Sequence, residues 1–379
     1  MTQLRVIIDQ LTAPVPGGIG RYAEELTRAL IATAPRGSRV AGLVSAAPES
    51  VYAQIAERLP GLSELHKSAL DRRQLALAWQ HGFTPVPGDG LLHATSMLAP
   101  LRRHDRSLEP SSQVVVTLHD TVPWTHPETL TPRGVSWHKA MAKRAERYAD
   151  AIVVSTHATA AEFAEILDLG ERVRVIGAAT SSRLSLPADA AERATRLELP
   201  PRFILSVGTL EPRKGIAALI NAMTLGLPDD VPLLIVGPDG WGGIDVAAIA
   251  EEAGLRPGRV RTLGRLSDED LAVALDRASV FVFPSLAEGF GLPVVEAFSL
   301  GAPVVHSDAP AVVEVAAGAG VTVARDDAAG YPERLAEAVR GVLEDTALAE
   351  RLSISGIDRA KAFSWRDSAE KVWQLHADL

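Results

Sequence analysis

The chain has 379 residues, 47% hydrophobic and 22% charged, with 30 glycines, 25 prolines and no cysteine, a globular composition that excludes collagen, coiled coil and extended disorder. Without cysteine there are no disulfides, thiolate metal sites, iron–sulfur clusters or cysteine nucleophiles. The net charge of −9 resides in the second half, since residues 1–180 hold 19 Lys+Arg against 18 Asp+Glu; this balance argues against general nucleic-acid binding and leaves the N-terminal half as the one suited to an anionic partner.

A single core rarely grows past ~250 residues, so this length predicts two domains with a cleft between them. The N-terminus runs from Met1-Thr2-Gln3 straight into the buried-strand pattern Leu4 to Asp9, without the features of a signal peptide. The longest apolar runs, Val114 to Leu118 and Val280 to Pro284, are strand-sized, far below the ~20 residues of a membrane helix. A cytoplasmic protein is expected.

Strands are predicted near 4–9, 40–44, 114–118, 151–154 and 173–176, with helical pattern between them. Pro/Gly clusters at 85–90 and 107–112 read as loops. A second series follows near 203–207, 232–236, 260–263, 279–283, 303–305 and 321–323. The alternation predicts an α/β protein of two doubly wound parallel sheets: an N-terminal Rossmann-like domain over 1–185 and a second over 198–362. The Ala/Ser/Arg-rich stretch Gly177 to Pro201 reads as the linker, and a final helix covers about 363–379.

Ligands of open parallel sheets bind beyond the carboxyl ends of the strands, so the strand-to-helix loops carry the chemistry. The first is Pro16-Gly17-Gly18-Ile19-Gly20-Arg21-Tyr22, followed by helical pattern from Ala23 to Ala34. Its glycines would let amides approach an anion at a helix N-terminus, or would serve only a tight turn. The second ends in His119-Asp120, where a histidine could donate to a sugar hydroxyl or simply pack. Arg133 to Arg147 reads as a basic amphipathic helix whose Lys139, Lys143 and Arg147 share one face, suited to an anionic membrane or merely solvated.

The third loop, Gly208-Thr209-Leu210-Glu211-Pro212-Arg213-Lys214-Gly215, sets a guanidinium fork beside a mobile ammonium, a pair suited to a diphosphate, and leads into a helix from Ile216. The fourth is Pro284-Ser285-Leu286-Ala287-Glu288-Gly289-Phe290-Gly291-Leu292-Pro293. Pro293 fits a first helical turn and leaves Gly289 to Leu292 as amides that can converge on phosphate. Glu288 and Glu296 would repel a diphosphate, so each should accept from neutral hydroxyls, of a sugar and of a ribose diol respectively. That combination describes a nucleotide-sugar site. Asp268-Glu269-Asp270, preceded by Ser267, reads as a capped helix start rather than a metal motif.

With these residues in hand, the chain resembles the GT-B fold glycosyltransferases of family 4, the retaining, metal-independent group, over nearly its full length. The likeness is carried by the Glu288 to Glu296 spacing, Glu211-Pro212-Arg213-Lys214, Gly17 to Tyr22, His119-Asp120, Gly237-Pro238-Asp239-Gly240-Trp241, Leu266 to Leu271 and Phe363-Ser364-Trp365. It is nearest to the bacterial mannosyltransferase-like branch that builds glycans from GDP-mannose. The resemblance implies that Arg213 and Lys214 hold the donor diphosphate and that the amides of Phe290, Gly291 and Leu292 hold phosphate or sugar oxygens. It puts Glu288 on the donor sugar, Glu296 on the ribose and His119 beside the anomeric centre or the 6-hydroxyl. Gly237 to Trp241 and Gly264-Arg265-Leu266 would line the base pocket. Gly215 departs from that branch, which usually has Asn there, and Gly177-Ala178-Ala179 replaces its Gly-Val-Asp-like segment.

The implied reaction is hexosyl transfer, mannose from GDP-mannose being the favoured case, to a hydroxyl of a glycan or lipid-linked acceptor. It needs neither cofactor nor metal, and peripheral contact with an anionic membrane is compatible with it. The C-terminal helix, with Val372, Trp373 and Leu375, would cross back onto the first domain. Other donors (UDP-, dTDP- or ADP-sugars), a sugar-nucleotide epimerase, and a catalytically silent nucleotide-sugar binder are the competing readings. A nicotinamide oxidoreductase fits least, because no glycine fingerprint is followed by a ribose-binding acid at the right distance.

Overall fold

A computed structural model describes residues 2–83, 86, 90–105, 112–240 and 242–379. Trp241 and most of the Pro/Gly segments 85–90 and 107–112 lie outside the described residues. Two units are present: Met1–Pro127 with Thr131–Ala178 and Ser364–Leu379, and Glu128–Leu130 with Ala179–Phe363.

In the first unit, β1 (Thr2–Ile7), β2 (Ser38–Ala46), β3 (Leu65–Asp71), β4 (Leu91–Ala94), β5 (Val114–Thr117), β6 (Ala151–Val154) and β7 (Val173–Val175) form one seven-stranded sheet in the order β3-β2-β1-β4-β5-β6-β7. Every pair is parallel, so the inner strands are buried on both faces and read as continuous apolar runs. Leu4, Val6, Val115, Val116, Ile152 and Val153 are all fully buried. Strands β3 and β4 were not among those predicted. The first is an edge strand whose Leu-His-Lys-Ser-Ala-Leu-Asp sequence alternates half-buried with exposed positions, and the second is four residues long with His93 inside it. From β1 the chain winds outward to β3 and then returns to β4 on the other side, which opens a crevice at the carboxyl ends of β1 and β4.

The first helix spans Gly17–Ala32, six residues ahead of the predicted start. The glycines are therefore its first turn rather than a loop before it. Gly20 is there for space: a Cβ would lie 2.3 Å from Pro16 Cβ. Pro16, at the N-cap, supplies no side-chain cap, so the first-turn amides keep their electropositive character.

The C-terminal helix (Trp365–Asp378) belongs to this unit and packs on the Gly17–Ala32 helix. Ser364 caps it, Trp365 meets Tyr22 edge-on at 5.6 Å, and Trp373 Nε1 donates to the Leu30 carbonyl at 3.2 Å. Near its end His376 pairs with Gln113 Oε1 at 3.0 Å and meets His93 of β4 edge-on at 5.6 Å. Both imidazoles are buried, and burial drives both to the neutral form: His376 falls to about 4 and His93 well below the usual range, with His376 adding to the effect on His93. A histidine depressed in the fold contributes stability above its unfolded value of ~6.5 and loses it as pH falls toward the folded value. His376 alone accounts for a loss of about 2 kcal/mol between pH 7 and pH 5. Thermal denaturation at those two pH values should show a larger drop in Tm for the parent chain than for His376→Gln; equal drops would exclude His376 as the source.

In the second unit, β8 (Ile204–Val207), β9 (Leu233–Val236), β10 (Val260–Gly264), β11 (Val280–Phe283), β12 (Val304–Ser307) and β13 (Val321–Val323) form a six-stranded parallel sheet in the order β10-β9-β8-β11-β12-β13. Successive residues feed opposite faces. Ile204, Leu233 and Val282 pack with Leu219, Ile220 and Leu335 on one side, while Leu205, Leu234, Phe281 and Phe283 pack with Phe298 on the other.

The stretch expected as a linker is part of this unit, which begins at Ala179. Leu184 is buried against the Phe203 and Phe281 core, and a helix spans Ala190–Arg196. Too few apolar residues mark it for a periodicity to show, because ion pairs hold it: Arg193 and Arg196 reach Asp270 Oδ1 at 2.8 and 2.7 Å, and Arg183 reaches Asp268 at 3.4 Å. The Asp268–Arg277 helix is capped by Ser267, whose hydroxyl accepts from the Asp270 amide at 3.1 Å, and carries three acids in its first turn. No helix among the described residues is long and apolar enough to cross a membrane.

Candidate functional site

The second sheet reverses direction of winding at β8, with β9 and β10 to one side and β11 to β13 to the other. The loops leaving β8 and β11 are thus brought together at the position where open sheets bind ligands. They are joined backbone to backbone: the Leu286 amide donates to the Arg213 carbonyl at 2.7 Å. Gly215, in the left-handed region at φ +67°, lets the turn at Pro212–Lys214 lie against β11; a Cβ there would sit 2.1 Å from the Pro284 carbonyl oxygen. The chain then enters the Ile216–Ala222 helix as predicted.

Arg213, Lys214 and Glu288 meet across this junction. Lys214 Nζ donates to Glu288 Oε1, and Arg213 Nη1 lies 3.5 Å from the same oxygen. Arg213 also donates through Nη1 to the Ala287 carbonyl and through Nε to Glu211 Oε2, both at 3.2 Å. Ser285 Oγ donates to Glu288 Oε1 at 2.5 Å. Burial pulls the Lys214 ammonium below the usual lysine range, with Glu288 opposing and Arg213 reinforcing that shift. Burial opposes ionisation of Glu288, but Lys214 and Arg213 outweigh it and hold the carboxyl below its usual range. The expectation that Glu288 faces only neutral hydroxyls is therefore amended: it also neutralises the two cations.

Beyond Glu288, Gly291 sits at the N-cap of the Leu292–Ser299 helix with φ +97° and no side-chain cap, and Pro293 occupies the first turn. Pro293 has no N–H and the Val294 amide donates to the Gly291 carbonyl at 2.9 Å, which leaves the amides up to Leu292 at an uncapped positive helix end, a place suited to phosphate oxygens. Phe290 is anchored edge-on against Phe363 at 5.6 Å, and Glu296, one turn into the helix, is buried. The loop after β9 is pressed onto the loop after β8: a Cβ on Gly237 would lie 2.0 Å from the Gly208 carbonyl oxygen, and Leu210 donates to the Pro238 carbonyl at 3.0 Å. Arg265 is exposed and Leu266 half-buried just past β10. Gly208, Arg213, Lys214, Gly237 and Glu288 to Leu292 thus share one edge of the second sheet, with Arg265 and Leu266 further along it.

Gly17, Gly18 and His119 belong to the first unit. There a cavity of about 900 Å³ opens at the crevice beside β1 and β4, with Ile19, Ser96, His119 and Asp120 in its wall. His119 Nε2 must carry the proton it gives to the Thr95 carbonyl at 2.7 Å, and Tyr22 meets the ring edge-on at 4.9 Å. Burial lowers the histidine's pKa, against the Thr95 bond and the Asp120 charge. The neutral ring therefore presents Nδ1 as an acceptor, which reverses the donor role expected for it. On the helix expected to be basic (Pro132–Tyr148), Lys143 is paired with Glu146 at 2.9 Å. No group of three or more His, Asp or Glu side chains among the described residues is arranged to hold a metal ion.

Sequence reasoning missed the supports of the β11 loop. Tyr331 donates to the Pro284 carbonyl at 3.0 Å, Ser307 to the Ser285 carbonyl at 2.5 Å, and Arg325 to the Leu286 carbonyl and Asp308. Arg325 stands 39 residues away in sequence, with no local signal to connect it. Ser285 stands three residues before Glu288 in the same loop, a local spacing that is legible in the sequence.

Residues 188–359 match the family described as Glycosyl transferases group 1, and residues 16–179 the family described as Glycosyltransferase Family 4. The chain is 38% identical over 169 residues to the O-antigen chain mannosyltransferase B of Escherichia coli, covering 44% of this chain and 43% of that protein. It is 32% identical over 274 residues to the serotype-specific mannosyltransferase WbdA of Escherichia coli, covering 68% of this chain and 32% of that one. The match thus spans less than half the length of both relatives. With the MMP alpha-(1->4)-mannosyltransferase of Mycolicibacterium hassiacum the identity is 29% over 344 residues, 83% of this chain and 80% of the relative. Among solved structures, sucrose-phosphate synthase from Thermosynechococcus elongatus shares the fold with a TM-score of 0.75 at 22% identity, covering 100% of this chain and 99% of that one. Anabaena HepE in complex with UDP and glucose does so with a TM-score of 0.75 at 19% identity over the whole of both chains.

Proposed function

The chain belongs to the GT-B glycosyltransferases of family 4, and on that premise we propose that it transfers a hexosyl group, mannose from GDP-mannose, to a hydroxyl of a glycan or lipid-linked acceptor. The observation that carries this reading is the meeting of Arg213, Lys214 and Glu288 at the reversal of the second sheet. The donor's diphosphate lies on Arg213, Lys214 and the uncapped amides that follow Gly289, and the transferred sugar gives hydroxyl protons to Glu288. Glu296 takes the ribose, and the segments at Gly237 and at Arg265-Leu266 take the base. The mannosyltransferase relatives support the choice of sugar.

No carboxylate other than those already engaged is required by this chemistry. As the glycosidic C–O bond to the diphosphate breaks, negative charge grows on the leaving oxygen, where fixed cations and amides stabilise it most. The acceptor hydroxyl adds to the same face of the oxocarbenium-like centre and passes its proton to the departing phosphate, so configuration is retained without a metal.

A thermal-shift series with GDP, UDP, dTDP and ADP, each alone and as its common sugar conjugate, tests the donor. A ligand present at 100 times its Kd stabilises by about 2.7 kcal/mol. Selective stabilisation by GDP and GDP-mannose is expected. Selectivity for another base replaces the donor, and no response to any nucleotide overturns the reading.

A further inference from the structure

The cavity of the first unit carries arginines where its helices would prefer acids. Arg72 and Arg73 open the Arg72–Gln80 helix, and Arg133 stands in the first turn of the Pro132–Tyr148 helix; all three line the cavity. The Arg72–Gln80 helix has its acid at the N-cap, where Asp71 accepts from the Arg73 and Gln74 amides, whereas the Pro132–Tyr148 helix is capped by the neutral Thr131 and has no acidic residue in its first turn. A cation at the positive end of a helix is placed against the macrodipole, a local stability cost that an acid there would remove. The Asp268–Arg277 helix of the same chain follows the ordinary preference with three acids. The Pro132–Tyr148 helix thus keeps an uncompensated cation at its positive end, in the wall of the same cavity that Arg72 and Arg73 line, a local conflict of the kind found at functional sites.

The three cations are not equivalent. Arg72 is engaged, donating to the Asp9 carbonyl at 3.2 Å and to Gln10 Oε1. The guanidinium groups of Arg73 and Arg133 make no hydrogen bond or ion pair with any described residue, and both are exposed at the cavity. The one carboxylate in the wall, Asp120, accepts from the Val122 amide at 3.1 Å. His119 is neutral, so the wall is net positive. The rest of the wall sets polar side chains, among them Gln80, Ser96, Ser136 and His138, beside an apolar patch of Met97, Leu98 and Trp137, the indole being fixed by donation of Nε1 to the Ala76 carbonyl at 3.3 Å. An indole face with two free guanidinium forks suits a ring with an apolar face and an attached dianion.

We propose that this cavity binds the acceptor and that the acceptor is a phosphorylated sugar, its pyranose ring on Trp137 and its phosphate ester on Arg73 and Arg133. The inference rests on the transferase reading for the word acceptor, but the binding itself does not. Phosphate of this kind occurs in a soluble sugar phosphate and in a sugar carried on a lipid diphosphate, and both present the same group to the arginines.

The test is isothermal titration of the full chain, at low salt and with saturating GDP, using glucose 1-phosphate and methyl α-glucoside as probes. Glucose 1-phosphate should bind at least ten-fold more tightly, and the preference should vanish in Arg73→Ala/Arg133→Ala while surviving in Arg36→Ala, an exposed arginine that does not line the cavity. Equal affinity for the two probes, or a preference that survives the double substitution, overturns the proposal. A third probe, glucose on farnesyl diphosphate, separates the sources: tighter binding than glucose 1-phosphate, still lost in the double variant, assigns the lipid-linked form, and equal binding assigns the free one. The outcome is independent of the donor. A chain that ignores every nucleotide yet binds glucose 1-phosphate through these arginines would sink the transferase reading and leave the phosphate site standing.

Discussion

Arg213→Ala is expected to lower kcat by ~10²-fold or more, by analogy with the loss of one preorganised donor to a developing oxyanion. The guanidinium is held from two sides, by the Ala287 carbonyl and Glu211, each at 3.2 Å. It is fixed before any ligand arrives, and fixed charge helps most where charge appears during the reaction. With the donor placed as proposed, Lys214 and the loop amides still hold its ground state in the variant, so KM should move less than kcat. The fold should survive, because the Leu286 amide and the Ser285 hydroxyl both donate to the Arg213 carbonyl, ties between the turn and the β11 loop that remain when the side chain and its bond to Ala287 are lost. Steady-state kinetics on a variant of parental Tm is the measurement, and turnover within a few-fold of the parent would remove Arg213 from the chemistry.

Gly215→Ala is expected to cost about 3 kcal/mol or more, which lowers the Tm of a unit this size by roughly 6–12 °C. Two penalties combine. The left-handed conformation at φ +67° costs a residue with a Cβ about 1–2 kcal/mol. The Cβ would also sit 2.1 Å from the Pro284 carbonyl oxygen, and backbone is what stands in its way, so the loops after β8 and β11 must part. Asn tolerates the dihedral but not that contact. Activity should fall with stability, since the same separation pulls Lys214 from Glu288. Calorimetry of Gly215→Ala and Gly215→Asn checks both terms: an Asn variant as stable as the parent would show that the close approach is easily relieved.

What could be read in advance follows from which forces leave a local trace. Strands with both faces buried, such as Val114–Thr117 and Val280–Phe283, are continuous apolar runs and stood out at once. β3 did not, because an edge strand need bury only part of itself, and β4 did not, because four residues are too short for a period. The Ala190–Arg196 helix was hidden because arginine-to-aspartate pairs bridging some 75 residues secure it. In the candidate site, glycines, adjacent cations and paired glutamates have fixed local spacings and were visible. The hydrogen bonds of Arg325 and Tyr331 to the β11 loop depend on how distant segments meet, and no spacing announces them. For His119 the residue was identifiable but its proton was not, since only the Thr95 carbonyl decides which nitrogen holds it.

The ion pair between Lys214 and Glu288 sets a condition on what may enter. An anion that takes the ammonium for itself leaves the buried Glu288 carboxylate with Ser285 and the more distant Arg213, and loss of the nearest counter-ion from a buried charge is costly. A molecule that brings only phosphate therefore takes from Glu288 its nearest cation and gives nothing back. One that brings phosphate and, a sugar's width away, a hydroxyl, gives each half of the pair a new companion. The site thus works as a two-key lock: inorganic diphosphate is refused most, and a nucleoside diphosphate, held by its ribose and base as well, still binds more weakly than its sugar conjugate.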